Sequence, residues 1–91
     1  MFVDDAPHTL SLRFAYDTER RARIVERGVR VEVGEIDDDR STARVEREGR
    51  VVRVRVGAAD LVALRAGANT WLRLLGVAES VSVGAEDAAG A

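Results

Sequence analysis

Two alternating segments joined by a short turn constrain the fold of this chain more than any other feature of its sequence. In residues 41–47 and 50–58, apolar side chains recur at every second position, which is the period of a strand with one buried face. Glu48-Gly49 lies between the two segments, and glycine accepts the positive φ of a tight hairpin turn. The sequence therefore predicts a β-hairpin with Glu48-Gly49 as its loop.

The register of this predicted hairpin also brings arginines together on its outer face. It places Val45 opposite Val52, Ala43 opposite Val54 and Arg44 opposite Arg53. Like charges directly opposed destabilise a strand pair, so either neighbouring carboxylates such as Glu46 or an anionic partner such as RNA must compensate them. The candidate RNA contacts on this face are Arg13, Arg44, Arg53 and Arg55.

One further strand and two helices account for most of the remaining chain. His8 to Phe14 alternates in the manner of a strand, and Asp17 is the predicted N-cap of a helix from Thr18 to about Arg30. Asp60 is the predicted cap of a second helix, which begins at Leu61 and continues past Leu75 to about Val83. We expect an N-terminal extension over residues 1–7, one domain over 8–83 and a disordered tail over 84–91.

The order β-α-β-β-α predicts an α+β fold of a particular kind. If the third strand returns between the first two, the product is a three-stranded antiparallel sheet with both helices on one face. This is a ferredoxin-like unit that lacks its last strand. The first strand then lies at an open edge, which can pair with a second copy of the chain, so we expect a homodimer.

The composition excludes most catalytic and metal chemistry. There is no cysteine, and the single histidine, His8, has no evident catalytic or metal-binding partner. The acidic run Asp37 to Asp39, with Glu35 beside it, lacks the ligand spacing of a calcium loop and is expected to be solvated. No phosphate-binding loop or dinucleotide fingerprint is present. We therefore expect no enzyme activity, no cofactor and no metal.

The remaining compositional features bear on location and origin. No secretion signal or membrane-spanning segment is evident, so a cytoplasmic location is expected. All fourteen basic residues are arginine. This usage indicates a GC-rich genome, and acidic, lysine-free composition also suits a salt-rich cytoplasm.

Both helices carry patterned side chains beyond those that a single core requires. In helix 2 the predicted core arc comprises Leu61, Leu64, Ala68, Trp71, Leu72 and Leu75. A polar ridge at four-residue spacing lies beside that arc, and Leu74 lies on the opposite flank. In helix 1 a second apolar stripe either packs against helix 2 or binds another protein. The predicted partner-binding residues are Ile24, Gly28 and Val31 of helix 1 and Arg65, Asn69, Arg73 and Leu74 of helix 2.

The chain resembles the Pcc-type small subunit of the archaeal and eukaryotic KEOPS complex, the Pcc/CTAG family. The resemblance covers about residues 8–83 and is carried by HTLSLRFAYDTERRARIV, DRSTARVE and AADLVALRAGANTWLRLL. It implies an archaeal homodimer whose helices bind the ATPase-fold catalytic subunit. The composition favours a haloarchaeal source. That subunit transfers the threonylcarbamoyl group to adenosine 37 of ANN-decoding tRNAs, and the small subunit is implied to be a non-catalytic scaffold that assists tRNA engagement.

Two rival functions follow from other features. A stand-alone RNA-binding module would use the four arginines of the outer sheet face and bind tRNA in a salt-dependent manner. A small-molecule regulatory domain would need a pocket at the dimer seam, for which no residues are evident.

Overall fold

The computed structural model describes residues 2–34 and 40–90, the last five as helical backbone alone. The predicted acidic loop around Asp37 to Asp39 lies outside the described residues. The elements are β1 (His8–Ala15), α1 (Glu19–Arg30), β2 (Ser41–Glu48), β3 (Val51–Ala58) and α2 (Leu61–Gly90), preceded by a short 3-10 turn, the N-terminal turn (Val3–Asp5). The predicted order β-α-β-β-α is confirmed. Within the described ranges, no helix has the length and apolar character needed to cross a membrane.

The three strands form one antiparallel sheet in the order β1-β3-β2, as predicted. The loop between β2 and β3, however, is Gly49-Arg50, so the prediction of Glu48-Gly49 was wrong by one position. Gly49 has a φ of 58°, and Arg50 does not have a positive φ. A two-residue turn of this type requires glycine at its first central position, which explains the placement of the loop.

The corrected loop moves the register by two residues and leaves the two faces of the sheet unchanged. Val45 lies opposite Val54, and Ala43 lies opposite Val56. A shift of two preserves the alternation, so the predicted inward residues remain inward. On the outer face the pairs change: Arg44 lies opposite Arg55 instead of Arg53. Arg53 lies opposite Glu46 on β2 and opposite Arg13 on β1.

Helix α1 packs on the inner face of the sheet through one apolar stripe. Ala22, Val25 and Val29 are buried in the core. The N-cap is Thr18, whose side-chain oxygen accepts a hydrogen bond from the Arg21 backbone N–H at 3.0 Å. The prediction of Asp17 was wrong because Thr18 has the extended backbone that a cap requires and lies three residues before that donor.

Helix α2 is longer than predicted. It runs for 30 residues, through Gly76 and Gly84, to Gly90, instead of ending near Val83. Helical backbone therefore continues through residues 84–90, for which the sequence predicts a disordered tail.

Contacts with distant residues hold this C-terminal half of α2. The Tyr16 hydroxyl donates to Glu79 Oε1 at 2.9 Å, and Arg21 Nε donates to the Oγ of buried Ser82 at 3.2 Å. Burial, together with the hydrogen bond to Glu79, raises the pKa of the Tyr16 hydroxyl and keeps it a donor.

The core lies between the two helices and the inner face of the sheet. Its largest members are Trp71 and Leu75 of α2 and the inward valines of β3, and Leu64 packs against it. Leu61 and Leu72, which were predicted to belong to the core arc, are 66% and 45% exposed. Both lie at one edge of that arc, and there they have too little sheet beneath them to be covered.

Candidate partner-binding site

The outer surface of the helical pair contains a shallow apolar groove. The helices are antiparallel, since Arg21 near the start of α1 contacts Ser82, whereas Gly28 near its end lies against Ala78. A Cβ at Gly28 would lie 3.3 Å from the Ala78 Cβ, so the absent side chain permits this close approach. The groove has a volume of about 170 Å³ and is lined by Ile24, Gly28, Glu32, Leu74, Val77, Ala78 and Val81.

One wall of the groove is an apolar stripe that the domain leaves partly uncovered. Leu74, Val77, Ala78 and Val81 recur at spacings of three and four residues, which is the pattern of a helix–helix contact surface. Leu74 and Ala78 are covered by the core, but Val77 is 65% exposed and Val81 is 61% exposed. The groove, with these two valines on its wall, can therefore accept an apolar partner without disturbing the core.

The structure brings together only part of the predicted partner surface. Ile24, Gly28 and Leu74 meet in the groove, and exposed Val31 follows the last residue of α1. Of the two roles predicted for the second stripe of α1, the structure shows packing against α2 at Gly28. Ile24 lines the open groove, and its binding to another protein stays a prediction.

The sequence reasoning missed Val77 and Val81. Their three- and four-residue spacing from Leu74 was the signal that could have found them.

The predicted polar ridge lies on a different side of α2. Arg65, Asn69 and Arg73 are exposed, and Arg73 Nε lies 3.5 Å from the Asn69 carbonyl oxygen to which it donates. Arg65 and Leu74 are nine residues apart, which places them about 180° apart around the helix axis. A single partner helix cannot contact both.

The ridge side of α2 faces the β1 edge of the sheet. Helix α1 lies over β2, to which it is joined by the hydrogen bond from Arg30 to the Val45 carbonyl oxygen. On the side of α2 away from α1, Glu79 accepts a hydrogen bond from Tyr16, which follows β1. Exposed apolar residues occur on this side too: Leu61 and Leu72 on α2 and Leu10 on β1. We refer to these three residues as the β1 flank.

The four arginines of the outer sheet face fall into two pairs. Asp4 of the N-terminal turn accepts from Arg55 at 2.8 Å and from Arg44 at 3.2 Å, and Glu46 also pairs with Arg44. Arg13 and Arg53 lie opposite each other, and neither has an ion pair within residues 2–34 and 40–85. Carboxylates therefore compensate one pair and leave the other open.

The described residues offer no cluster that could hold a metal. Within residues 2–34 and 40–85, no group of three or more His, Asp or Glu side chains converges on a common point. The absence of a metal site therefore stays a prediction.

These features define a small α+β domain with an uncovered apolar groove on its helical layer and an open sheet edge. A family model described as transcription factor Pcc1 matches residues 9–82. The chain therefore belongs to the Pcc1 family, which confirms the family resemblance predicted from the sequence.

A solved structure agrees with this fold. The chain is similar to one in the crystal structure of the binary complex Gon7-Pcc1, with a TM-score of 0.66 and 24% identity over 92% of this chain and 98% of that chain. No curated protein sequence matched the chain.

Proposed function

We propose that this chain is a non-catalytic scaffold subunit of a KEOPS-type complex and that it acts as a homodimer in the cytoplasm. Its partner is the ATPase-fold threonylcarbamoyltransferase subunit, and its role is to support formation of threonylcarbamoyladenosine at position 37 of tRNA. Membership of the Pcc1 family supports a KEOPS-type subunit and is consistent with a non-catalytic role. The observation that carries the proposal is the apolar groove between α1 and α2.

The groove suits a helix of the catalytic subunit. Its wall of Leu74, Val77 and Val81 presents side chains at the spacing that one helix offers to another. Contiguous exposed apolar surface of this kind marks interaction sites in soluble domains.

The homodimer is proposed at the β1 edge. Pairing of two β1 strands would join the sheets and cover the β1 flank, which is otherwise left in water. The exposed arginines and asparagine of the ridge lie on the same side and would form the polar rim of that interface. The groove and the dimer interface then occupy opposite sides of α2, and neither blocks the other.

The groove assignment is tested by Val77→Glu in a binding assay with the purified catalytic subunit. Burying a charge where a valine should pack is expected to cost about 2 kcal/mol or more, which raises Kd roughly thirtyfold. The matched control is Val62→Glu, which places the same charge at a 78% exposed valine of α2 outside the groove and should leave Kd unchanged. If both variants bind as the wild type does, the groove is not the interface.

A further inference from the structure

The N-terminal turn is packed onto the outer face of the sheet, on the side away from both helices. Val3 is buried, and a Cβ at Gly57 of β3 would come within 2.8 Å of the Ala6 Cβ and 3.0 Å of the Val3 carbonyl oxygen. Glycine at position 57 is therefore what allows the turn to lie so close to the sheet. This packing sets Asp4 beside Arg44 and Arg55.

Asp4 occupies a position where an external anion could bind. Its two carboxylate oxygens accept from two different arginines, Oδ1 from Arg55 and Oδ2 from Arg44. A phosphate group offers the same pair of acceptor oxygens to a pair of guanidinium groups. Among the described residues, the buried Arg55 Nε has no hydrogen-bond partner, so Asp4 does not satisfy that side chain fully.

An unoccupied arginine pair lies on the same face. Arg13 and Arg53 border an open depression of about 580 Å³, which is also lined by Glu46, Arg47, Glu48 and Val51. Like charges directly opposed across two strands are unfavourable without an anion between them. Glu46 is the direct neighbour of Arg53 on β2 but forms no ion pair with it. Glu46 and Glu48 together reduce the positive potential, so binding there should be weak and sensitive to salt.

The chemistry of the depression favours a chain of phosphates over an acidic protein segment. Protein interfaces combine charge with a substantial apolar area, and among the lining residues only Val51 is apolar. No aromatic side chain lines the depression, so it has no platform on which bases could stack. Arginines without such a platform contact the nucleic-acid backbone and do not read its sequence.

We propose that the outer sheet face is a binding site for a phosphodiester backbone, with Arg13 and Arg53 as its open part and Arg44 and Arg55 as a second part. The N-terminal turn occupies the second part through Asp4 and competes with the external chain. This site is separate from the helical groove and does not depend on the scaffold function.

The test measures binding of a labelled single-stranded RNA to the full chain by fluorescence anisotropy at several salt concentrations. Asp4→Asn should tighten binding several-fold. Because Glu46 still holds Arg44, the variant frees about one additional contact, and the slope of log K against log salt should steepen by about 0.7. Asp5→Asn removes the same charge from a residue without an ion pair among the described residues and should have a much smaller effect.

Gly57→Ala opens the site without a change of charge. The added Cβ would lie 2.8 Å from the Ala6 Cβ and 3.0 Å from the Val3 carbonyl oxygen, so the N-terminal turn must shift and binding should tighten as it does in Asp4→Asn. Arg13→Gln combined with Arg53→Gln should abolish most of the binding, whereas Arg27→Gln on exposed helical surface should not. Circular dichroism checks that each variant is folded. If Gly57→Ala does not fold, the comparison of the Asp4 and Asp5 variants decides the result.

Competitors distinguish the sources of the anion. Inorganic polyphosphate should displace the RNA, while a polyglutamate peptide of matched charge should do so less well. Equal effects of the Asp4 and Asp5 variants would overturn the competing role of the turn. Wild-type binding by the double arginine variant, no RNA binding at low salt, or equal competition by polyglutamate would overturn the phosphate site.

Discussion

At the scale of single residues, Glu26 shows how one carboxylate can join a helix to the sheet. It accepts from Arg30 one turn further along α1 and from Arg47 Nε of β2 at 3.1 Å. Arg30 also donates to the Val45 carbonyl oxygen at 3.2 Å. The pairing of residues 26 and 30 follows from helical spacing, but Arg47 comes from a different element, so the sequence could not predict the complete cluster.

This cluster makes stability depend on pH at Glu26. Burial raises the pKa of its carboxyl, but the hydrogen bonds from Arg30 and Arg47 outweigh burial and lower the pKa below its ordinary value of 4.5. A folded-state pKa below the unfolded one stabilises the protein above the unfolded pKa, and this contribution is lost as the pH falls through the folded pKa. We therefore expect Glu26→Gln to lower the free energy of unfolding at pH 7, and expect the difference from wild type to shrink progressively below about pH 4.5.

Urea denaturation of both proteins across this pH range measures the effect. Glu48→Gln is the control, because Glu48 is exposed and has no ion pair within the described part of the chain. That substitution should leave the free energy of unfolding unchanged at pH 7. A difference between wild type and Glu26→Gln that stays constant down to acid pH would contradict the assignment.

At the scale of elements, the length of α2 depends on contacts that local sequence does not reveal. Gly76 and Gly84 weaken a helix, and the small, polar residues 84–91 predict a disordered tail after Val83. The bonds from Tyr16 to Glu79 and from Arg21 to Ser82 join residues more than 60 positions apart in the chain. For the hairpin, by contrast, local sequence was sufficient: the alternation predicted the buried faces correctly, even though the loop lies one residue further along the chain than predicted.

The glycines within α2 differ in their surroundings, which gives a matched pair of substitutions. A Cβ at Gly76 would meet nothing within 4 Å, whereas a Cβ at Gly67 would lie 3.0 Å from Val56 Cγ1 in the core. Gly76→Ala should therefore stabilise the protein by about 0.5–1 kcal/mol through its helix propensity alone. Gly67→Ala gains the same propensity, but crowding against Val56 should cost about 1 kcal/mol or more, so this variant should be less stable than Gly76→Ala by at least that amount.

Thermal and urea unfolding monitored by far-ultraviolet circular dichroism compare the two variants directly. Equal stabilisation by both would mean that α2 does not lie against β3 at Gly67 as described. Destabilisation by Gly76→Ala would mean that the exposed side of α2 is covered by another part of the protein or by a second copy.

At the scale of the whole molecule, the predicted partner residues divide between two surfaces. Ile24, Gly28 and Leu74 line the groove, while the three ridge residues lie on the side of the β1 edge. Val31 is exposed just past the end of α1. A helical wheel gave the angles within each helix, but it could not show which side of α2 would be taken by α1. The wheel already places Leu74 and the ridge on different sides of α2, and the packing of the two helices on the sheet shows that α1 lies on the Leu74 side.

This separation predicts the composition of the assembly, given the proposed function. If the dimer forms at the β1 flank and each groove stays open, one dimer should bind two catalytic subunits. Sedimentation velocity of the mixture should then give the mass of a complex with two copies of each chain.

Leu72→Glu places a charge in the β1 flank and should yield a complex with one copy of each chain. Val77→Glu is the reciprocal control and should yield a free dimer of this chain with little bound partner. A wild-type chain that is monomeric at micromolar concentration, or a Leu72→Glu variant that still dimerises, would show that the dimer does not use this edge.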